Sequence, residues 1–182
     1  MRSVQRWDDM IEDAVDWHRP VLVRAARIGT LPGENYMHPT LGTLVALTIL
    51  SRRGGPARRI VVPMASASLG AIIAHHAVKV VYRRRRPELA VRRGKYEPAF
   101  PSGHTADATA VLATGAYLLV RERILPARVA LPVASTLALT TGVSRVVLGW
   151  HWSSDVIGGW ITGLGVAAEC ALAYEQLVNG ER

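Results

Sequence analysis

Long apolar runs separated by short charged segments dominate the hydropathy pattern of this chain. Three runs, 60–82, 129–147 and 156–178, are almost free of charge. Each reaches the roughly 20 residues that a helix needs to cross a hydrocarbon core. Two shorter runs, 36–50 and 105–120, continue the same alternation. The pattern predicts an all-α fold, an integral-membrane helical bundle with about five transmembrane helices.

The first 35 residues follow a different pattern, in which acidic and basic side chains are interspersed with apolar ones such as Trp7, Ile11 and Val15. This is typical of an amphipathic helix that lies on a membrane surface. An ordinary helix packed against a soluble domain is the alternative, which the apolar runs disfavour. The sequence therefore predicts an amphipathic N-terminal interfacial segment, 1–35, and a membrane-embedded domain, 36–182. No cleavable signal peptide is expected, because residues 1–30 lack a continuous apolar stretch.

The net charge of +8 indicates that the partners of this chain are anionic. In a soluble protein it would suit nucleic acid. With most of the chain in lipid, we expect membrane lipids and a phosphorylated substrate to be the anionic partners, and no nucleic acid. The only cysteine, Cys170, excludes an intramolecular disulfide and disfavours a thiolate metal site. The sequence indicates no oligomeric state.

Residues 79–86 place a lysine and four consecutive arginines at the end of an apolar run. If the helix continues to Arg86, Lys79 and Arg86 project from one face before Pro87 ends the helix. A lysine inside a span needs a partner, and a phosphate is one such partner. Alternatively, the lysine extends along its own stem to the interface. This segment alone leaves both interpretations open.

Two later segments carry residues suited to phosphoryl chemistry. The sequence PSGH, 101–104, precedes an apolar run, and the free amides at a helix amino terminus bind anions. A capping serine beside a surface histidine is the alternative. Further along, His151 and Asp155 are four residues apart and can meet on one face if a helix begins near His151. The carboxylate would fix the imidazole tautomer and leave the other ring nitrogen free to attack. A metal site built on this pair would lack an evident third ligand.

Together, the three segments resemble the tripartite signature of the type 2 phosphatidic acid phosphatase family. The resemblance covers residues 79–155 and matches every signature position in order and spacing. The matching pattern is Lys79, six residues, Arg86-Pro87; then PSGH; then Ser144-Arg145, five residues, His151, three residues, Asp155. Family members of this kind usually have an additional first span, which the amphipathic segment replaces here.

The resemblance implies a phosphatase that forms a phosphohistidine and uses no metal or other cofactor. His151 would be the nucleophile, oriented by Asp155. His104 would protonate the leaving oxygen and then activate water. The resemblance also implies that a set of cations and amides holds the phosphoryl oxygens: Lys79, Arg86, Ser102, Gly103 and Arg145. The remaining arginines, 83–85, are interpreted as interfacial charge or as contacts to a second anionic group.

The resemblance implies a lipid phosphate substrate without choosing among several. Family members act on phosphatidic acid, phosphatidylglycerol phosphate, undecaprenyl pyrophosphate and polyprenyl-linked phosphosugars. Arginine greatly outnumbers lysine, twenty to two, which is typical of GC-rich bacterial genomes and adds decaprenylphosphoryl phosphoribose to the candidates. We therefore expect a bacterial plasma membrane protein. The segments on the signature side, 1–35 and 83–103, carry twelve Lys and Arg against eight on the other side, which favours a cytoplasmic site.

Two other classes of protein share features of this pattern. Vanadium haloperoxidases have a similar anion site, but they are larger and soluble, so the apolar runs disfavour them. A catalytically silent membrane protein that binds lipid or serves as a scaffold is the second alternative. The intact His104, His151 and Asp155 disfavour it.

Overall fold

The computed structural model describes residues 2–15 and 19–180. Within these ranges the regular structure is helical and contains no strand, so the predicted all-α class is confirmed. The elements are α1 (Arg2–Ala14), α2 (Pro20–Gly29), a 3₁₀ turn (Leu31–Gly33), α3 (Met37–Arg53), α4 (Arg58–Tyr82), α5 (Glu88–Arg92), α6 (Gly103–Arg121), α7 (Ala127–Val147) and α8 (Ser153–Asn179).

The chain is an integral-membrane helical bundle. Helices α4, α7 and α8 are long and apolar enough to cross a membrane. They carry large apolar side chains on their outer surfaces, and Ile73 of α4 and Ile161 of α8 are each 68% exposed. Such outward-facing side chains suit contact with lipid tails. Helices α3 and α6 match the two shorter apolar runs, and the number of crossings stays a prediction.

Helix α6 lies at the centre of the bundle and packs against α3, α4, α7 and α8. Its closest neighbour is α8, where Gly159 and Gly163 face it. A Cβ at Gly159 would lie 2.8 Å from the carbonyl oxygen of Ser102, and one at Gly163 would lie 2.6 Å from that of Ala106. Small residues four apart allow two helix backbones to approach closely. The amino-terminal ends of α6 and α8 are therefore held side by side.

The apolar core lies at the opposite end of the bundle from those two amino termini. Ile49, Ile60, Val111 and Leu118 are almost completely buried there, and Tyr174 of α8 closes the cluster. This packing fixes the helices relative to one another at one end. Polar side chains occupy the other end of the bundle, which carries PSGH.

The amphipathic N-terminal segment forms two helices, and its residues 16–18 lie outside the described part of the chain. Trp7 of α1 and Val21 of α2 are 50% and 80% exposed, as a helix at a membrane surface requires. Helix α2 packs on α7, and the 3₁₀ turn packs on α6. The segment thus lies directly against the end of the bundle that carries PSGH. Its division from 36–182 as a separate domain stays a prediction.

Helix α4 ends at Tyr82 and does not continue to Arg86, so the condition for Lys79 and Arg86 to share a helix face is not met. Arg83 takes a left-handed conformation with φ of 42°, and its N–H donates to the carbonyl oxygen of Lys79 at 3.1 Å. Helical geometry is also disfavoured at Arg86, which precedes Pro87. The four arginines, 83–86, therefore do not extend the helix.

Candidate active site

A cavity of about 1100 Å³, with several charged side chains in its lining, lies where α4 ends and α6 begins. Six of the eight predicted site residues line it: Lys79, Arg86, Gly103, His104, Arg145 and His151. The other two, Ser102 and Asp155, lie behind this lining and are fully buried. The structure thus gathers all eight residues at one end of the bundle, and their roles stay predictions.

His151 is buried beside the carboxylate of Asp155. Its Nδ1 lies 3.5 Å from Oδ2 of Asp155, longer than an ideal hydrogen bond. Helix α8 begins at Ser153, just after His151, so His151 lies in the preceding turn and not on the helix. Asp155 turns back toward this turn because its Oδ2 accepts the N–H of Trp152 at 3.0 Å. The expected pairing is present, but a capping turn produces it instead of a shared helix face.

Arg86 determines which nitrogen of His151 carries the proton. Its Nη1 donates to the carbonyl oxygen of Trp150 at 2.8 Å and lies 3.1 Å from Nε2 of His151. A guanidinium can only donate, so Nε2 presents its lone pair and the proton resides on Nδ1, facing Asp155. Arg86 is itself held by a bond from its Nε to the carbonyl oxygen of Glu97 at 2.9 Å. The lone pair needed for nucleophilic attack therefore points toward a fixed cation.

Burial lowers the pKa of His151 well below its usual 6.5, and the positive charges of Arg86, Arg145 and Lys79 lower it further. Protonation would add another positive charge to a buried imidazole that already has cations beside it, and this is energetically costly. His151 is therefore neutral at neutral pH, as a nucleophile must be.

Two further cations beside His151 are poorly neutralised. Arg145, at the end of α7, is only 8% exposed, and its Nη1 donates to Oγ1 of Thr30 at 3.0 Å. Its Nε is buried without a hydrogen-bond partner among the described residues. Lys79 lies inside α4 and lines the same cavity. Burying positive charge is costly without a counter-charge, so this wall of the cavity favours an anion.

The PSGH segment links the beginnings of α6 and α8. Helix α6 begins at Gly103, and the N–H of Ser102 donates to the carbonyl oxygen of Asp155 at 2.9 Å. The hydroxyl oxygen of Ser102 accepts a bond from Oγ1 of Thr105 at 2.9 Å. The first amides of a helix have no acceptor within the helix, so those of α6 can bind an anion in this cavity.

His104 also has a carboxylate beside it, which the sequence did not indicate. Its Nε2 lies 3.3 Å from Oε1 of Glu34, the residue that follows the 3₁₀ turn. The turn can approach this closely because Gly33 has no side chain, and a Cβ there would lie 2.4 Å from the carbonyl oxygen of His104. Each of the two site imidazoles therefore has an acidic neighbour.

Asp107, one turn beyond His104, contacts a different histidine. Its Oδ1 lies 3.4 Å from Nε2 of His75, and both side chains are buried. Both residues line the cavity. His75 also packs on Gly103, where a Cβ would lie 3.1 Å from its ring. This pair supports the wall of the cavity beside the first turn of α6.

The interpretation of Arg84 as interfacial charge is wrong. Its guanidinium donates to Asp155 at 2.9 Å and to Asp8 of α1 at 2.6 Å. Sequence reasoning also missed Asp8, Thr30 and Glu34, because it gave the first 35 residues no part in the site. The sequence did contain one indication that a distant residue caps α8. The residue before this helix, Trp152, cannot accept a hydrogen bond from the helix amides as a good cap does.

Comparisons with known proteins identify the family to which this chain is similar and a solved structure with the same fold. A family model described as the PAP2 superfamily matches residues 60–178. Phosphatidylglycerophosphatase B of Bacillus subtilis (strain 168) is 37% identical over 86 residues, which is 44% of this chain and 41% of that protein. The match thus spans about two fifths of that relative's length.

One solved structure shares the whole fold of this chain. It is described as the crystal structure of the first transmembrane PAP2 type phosphatidylglycerolphosphate phosphatase from Bacillus subtilis. The TM-score is 0.81 at 24% identity, over 100% of this chain and 89% of that one. At this level of identity, the likeness demonstrates a common fold. The fold common to both proteins includes the N-terminal helices.

Proposed function

The chain belongs to the PAP2 superfamily, and from this premise we propose that it is a membrane lipid phosphatase that works through a phosphohistidine intermediate. The region that matches the family model, 60–178, contains all eight residues predicted for the site. The observation that carries the proposal is the setting of His151. Its neutral imidazole directs a lone pair from Nε2 toward a cationic cavity, while Asp155 lies at the opposite nitrogen.

In the first step, Lys79, Arg86 and Arg145 hold the phosphoryl oxygens of the lipid. Nε2 of His151 attacks phosphorus, so that a nitrogen–phosphorus bond forms as the bond from phosphorus to the lipid oxygen breaks. Asp155 stabilises the positive charge that develops on the imidazole. His104 donates a proton to the departing lipid oxygen.

In the second step, water enters on the side from which the lipid has left. His104, now deprotonated, accepts a proton from this water as its oxygen attacks phosphorus. The nitrogen–phosphorus bond breaks, inorganic phosphate is released, and His151 is neutral again. Splitting the reaction in this way replaces one difficult displacement by two easier ones.

We propose that this reaction needs no metal ion. Phosphoryl transfer depends mainly on positioning and on neutralising negative charge. Three fixed cations around the cavity, Lys79, Arg86 and Arg145, are suited to that task. We expect phosphate release by the purified protein to be unchanged by EDTA, and restored activity on adding back Mg²⁺ to a chelated, inactive sample would contradict this.

The proposed substrate is a lipid with a phosphate monoester or pyrophosphate at the membrane surface. The names of the similar Bacillus subtilis proteins support phosphatidylglycerol phosphate as the first candidate to test. The others are phosphatidic acid, undecaprenyl pyrophosphate and decaprenylphosphoryl phosphoribose. The proposed site faces the cytoplasm, on the side where Lys and Arg are more numerous.

The test is phosphate release from each of these four lipids by purified protein in detergent. Fast release from one lipid, in the presence of EDTA, supports the proposal and names the substrate. Release from none of them contradicts it and favours a silent protein that binds lipid or serves as a scaffold. Activity that persists in a His151→Ala variant would contradict the phosphohistidine mechanism, but the proposal that the chain is a phosphatase would still stand.

The low pKa of His151 predicts the acidic limb of the pH profile. Protonation removes the attacking lone pair, and it sets in only below the usual pKa of 6.5. We therefore expect the single-turnover rate of p-nitrophenol release from p-nitrophenyl phosphate to stay constant as pH falls from about 7.5 to about 6. Arg86→Gln removes one neighbouring positive charge, so its acidic limb should move to higher pH. Coincident limbs in the two proteins would contradict this assignment.

A further inference from the structure

Asp8 is buried although it lies on the amphipathic helix α1, where its neighbours are exposed. It is 1% exposed, whereas Trp7 is 50% exposed. Its Oδ1 accepts from Oγ of Ser153 at 2.7 Å and from the N–H of Ser154 at 2.9 Å. Its Oδ2 accepts from Oγ of Ser154 at 2.6 Å and from Arg84 at 2.6 Å. A membrane anchor would need no such enclosed carboxylate, so these contacts require another explanation.

The first role of Asp8 is to cap helix α8 from another part of the chain. The residue at the capping position, Trp152, has no side-chain acceptor for the amides of the first turn. A carboxylate at a helix amino terminus satisfies those amides and complements the helix dipole. Asp8 occupies that place, since it accepts the N–H of Ser154. The first turn of α8, which carries Asp155, is thereby fixed.

The second role runs through Arg84, whose guanidinium bridges two carboxylates. One nitrogen donates to Asp8 at 2.6 Å, and the other donates to Oδ1 of Asp155 at 2.9 Å. The guanidinium also lies 5.6 Å from the ring centroid of Trp152. With Oδ1 held by Arg84, the other oxygen of Asp155 is directed to His151. Asp8 thus constrains Asp155 both through Arg84 and through the backbone of α8.

We propose that Asp8 is a positioning residue that couples the N-terminal helix to the nucleophile by holding Asp155 against His151. The inference rests on the proposed phosphohistidine function. Burial raises the pKa of Asp8, but hydrogen bonds from Ser154, Arg84 and Ser153 outweigh this and lower it below its usual value. Asp8 therefore stays charged at neutral pH, as the bridge to Arg84 requires.

Helix α1 offers a matched control in the next residue. Asp9 is exposed. Among the described residues, its side chain accepts one hydrogen bond, from Nε2 of Gln5 at 2.8 Å. Asp8→Asn and Asp9→Asn remove the same charge from the same helix, so both change membrane attraction equally. Only Asp8 binds Arg84 and α8 directly. Asp9 is linked to Arg84 only through Gln5, whose Oε1 accepts a long bond of 3.4 Å from Arg84.

The experiment measures steady-state hydrolysis of p-nitrophenyl phosphate and of the fastest lipid by wild type and both variants. Asp8→Asn is expected to lower kcat by about 10- to 100-fold, with KM changed by less than about twofold, because orientation is lost and substrate contacts are not. Asp9→Asn should match wild type. Equal kcat in the Asp8 and Asp9 variants, or a loss confined to KM, would overturn the proposal.

A second variant guards against a general loss of folding. Arg84→Gln should produce a similar loss of kcat, and the double variant Asp8→Asn/Arg84→Gln should be little worse than either alone, because both act through Asp155. Losses that multiply would show that Asp8 acts independently of Arg84 and would overturn the coupling.

The rate at which diethyl pyrocarbonate acylates His151, followed by mass spectrometry, separates this inference from the proposed function. If wild type releases no phosphate from any substrate, the proposed function fails, and this rate alone decides the role of Asp8. Acylation several-fold slower in Asp8→Asn than in Asp9→Asn supports positioning of the imidazole. Equal or faster acylation overturns it.

Discussion

His151→Ala is expected to reduce phosphate release by more than about 1,000-fold, the largest effect of any single change in this chain. In the proposed mechanism this variant lacks the atom that bonds to phosphorus, so no covalent intermediate can form. Water would have to attack the lipid directly, helped only by the cations and by His104. The measurement is a single turnover with lipid labelled at the phosphate, in which wild-type protein should acquire label that is stable in alkali and labile in acid.

His76→Ala is the matched control for this experiment. His76 is an exposed histidine of α4, and its Nδ1 lies 2.8 Å from the carbonyl oxygen of Ile72. Its loss should leave both turnover and labelling near wild type. Label that still appears in His151→Ala would place the covalent intermediate on another residue and end the assignment of the nucleophile.

His104→Asn is expected to show the second largest effect, one that depends on the leaving group. For a lipid, the departing oxygen needs a proton, so release should fall by about 100- to 10,000-fold. A p-nitrophenolate ion leaves without a proton, so attack by His151 should remain comparatively fast. Hydrolysis of the phosphohistidine then lacks a base. We expect a burst of p-nitrophenol equal to the amount of enzyme, followed by slow turnover, with phosphate retained on the protein.

The double variant His104→Asn/His151→Ala provides the control for that burst, because it should retain no phosphate. Equal losses for the lipid and for p-nitrophenyl phosphate in His104→Asn would contradict the acid role. They would instead indicate that His104 contributes to binding or to the shape of the cavity. The carboxylate of Glu34, 3.3 Å from Nε2 of His104, would then have no part in proton transfer.

The membrane helices and the place of the site could be predicted because their signals are local. Runs of 60–82 and 156–178 anticipate α4 and α8 to within three residues at each end. The resemblance to the family signature, rather than helical spacing within each segment, predicted which residues would lie together. Helix ends were less predictable, since the left-handed turn at Arg83 and the late start of α8 depend on contacts with other segments.

Contacts between distant segments could not be predicted from local periodicity. Asp8 and Arg84 are 76 residues apart, and Thr30 and Arg145 are 115 residues apart. An amphipathic pattern shows that α1 and α2 have two unlike faces. It does not show that one polar side chain will be enclosed by a helix near the carboxyl end. For this reason the N-terminal segment was expected only at the membrane surface.

The hydrogen bond between Asp8 and Ser153 spans 145 residues, and this affects how the protein matures during synthesis. Helix α1 leaves the ribosome well before α8, the helix that Asp8 caps. Until α8 has inserted, Asp8 and Arg84 have no Asp155 to position, and His151 has no fixed partner. Contacts of such long range close late and slowly in folding. The nascent chain is therefore expected to remain without nucleophilic activity until α8 is in the membrane.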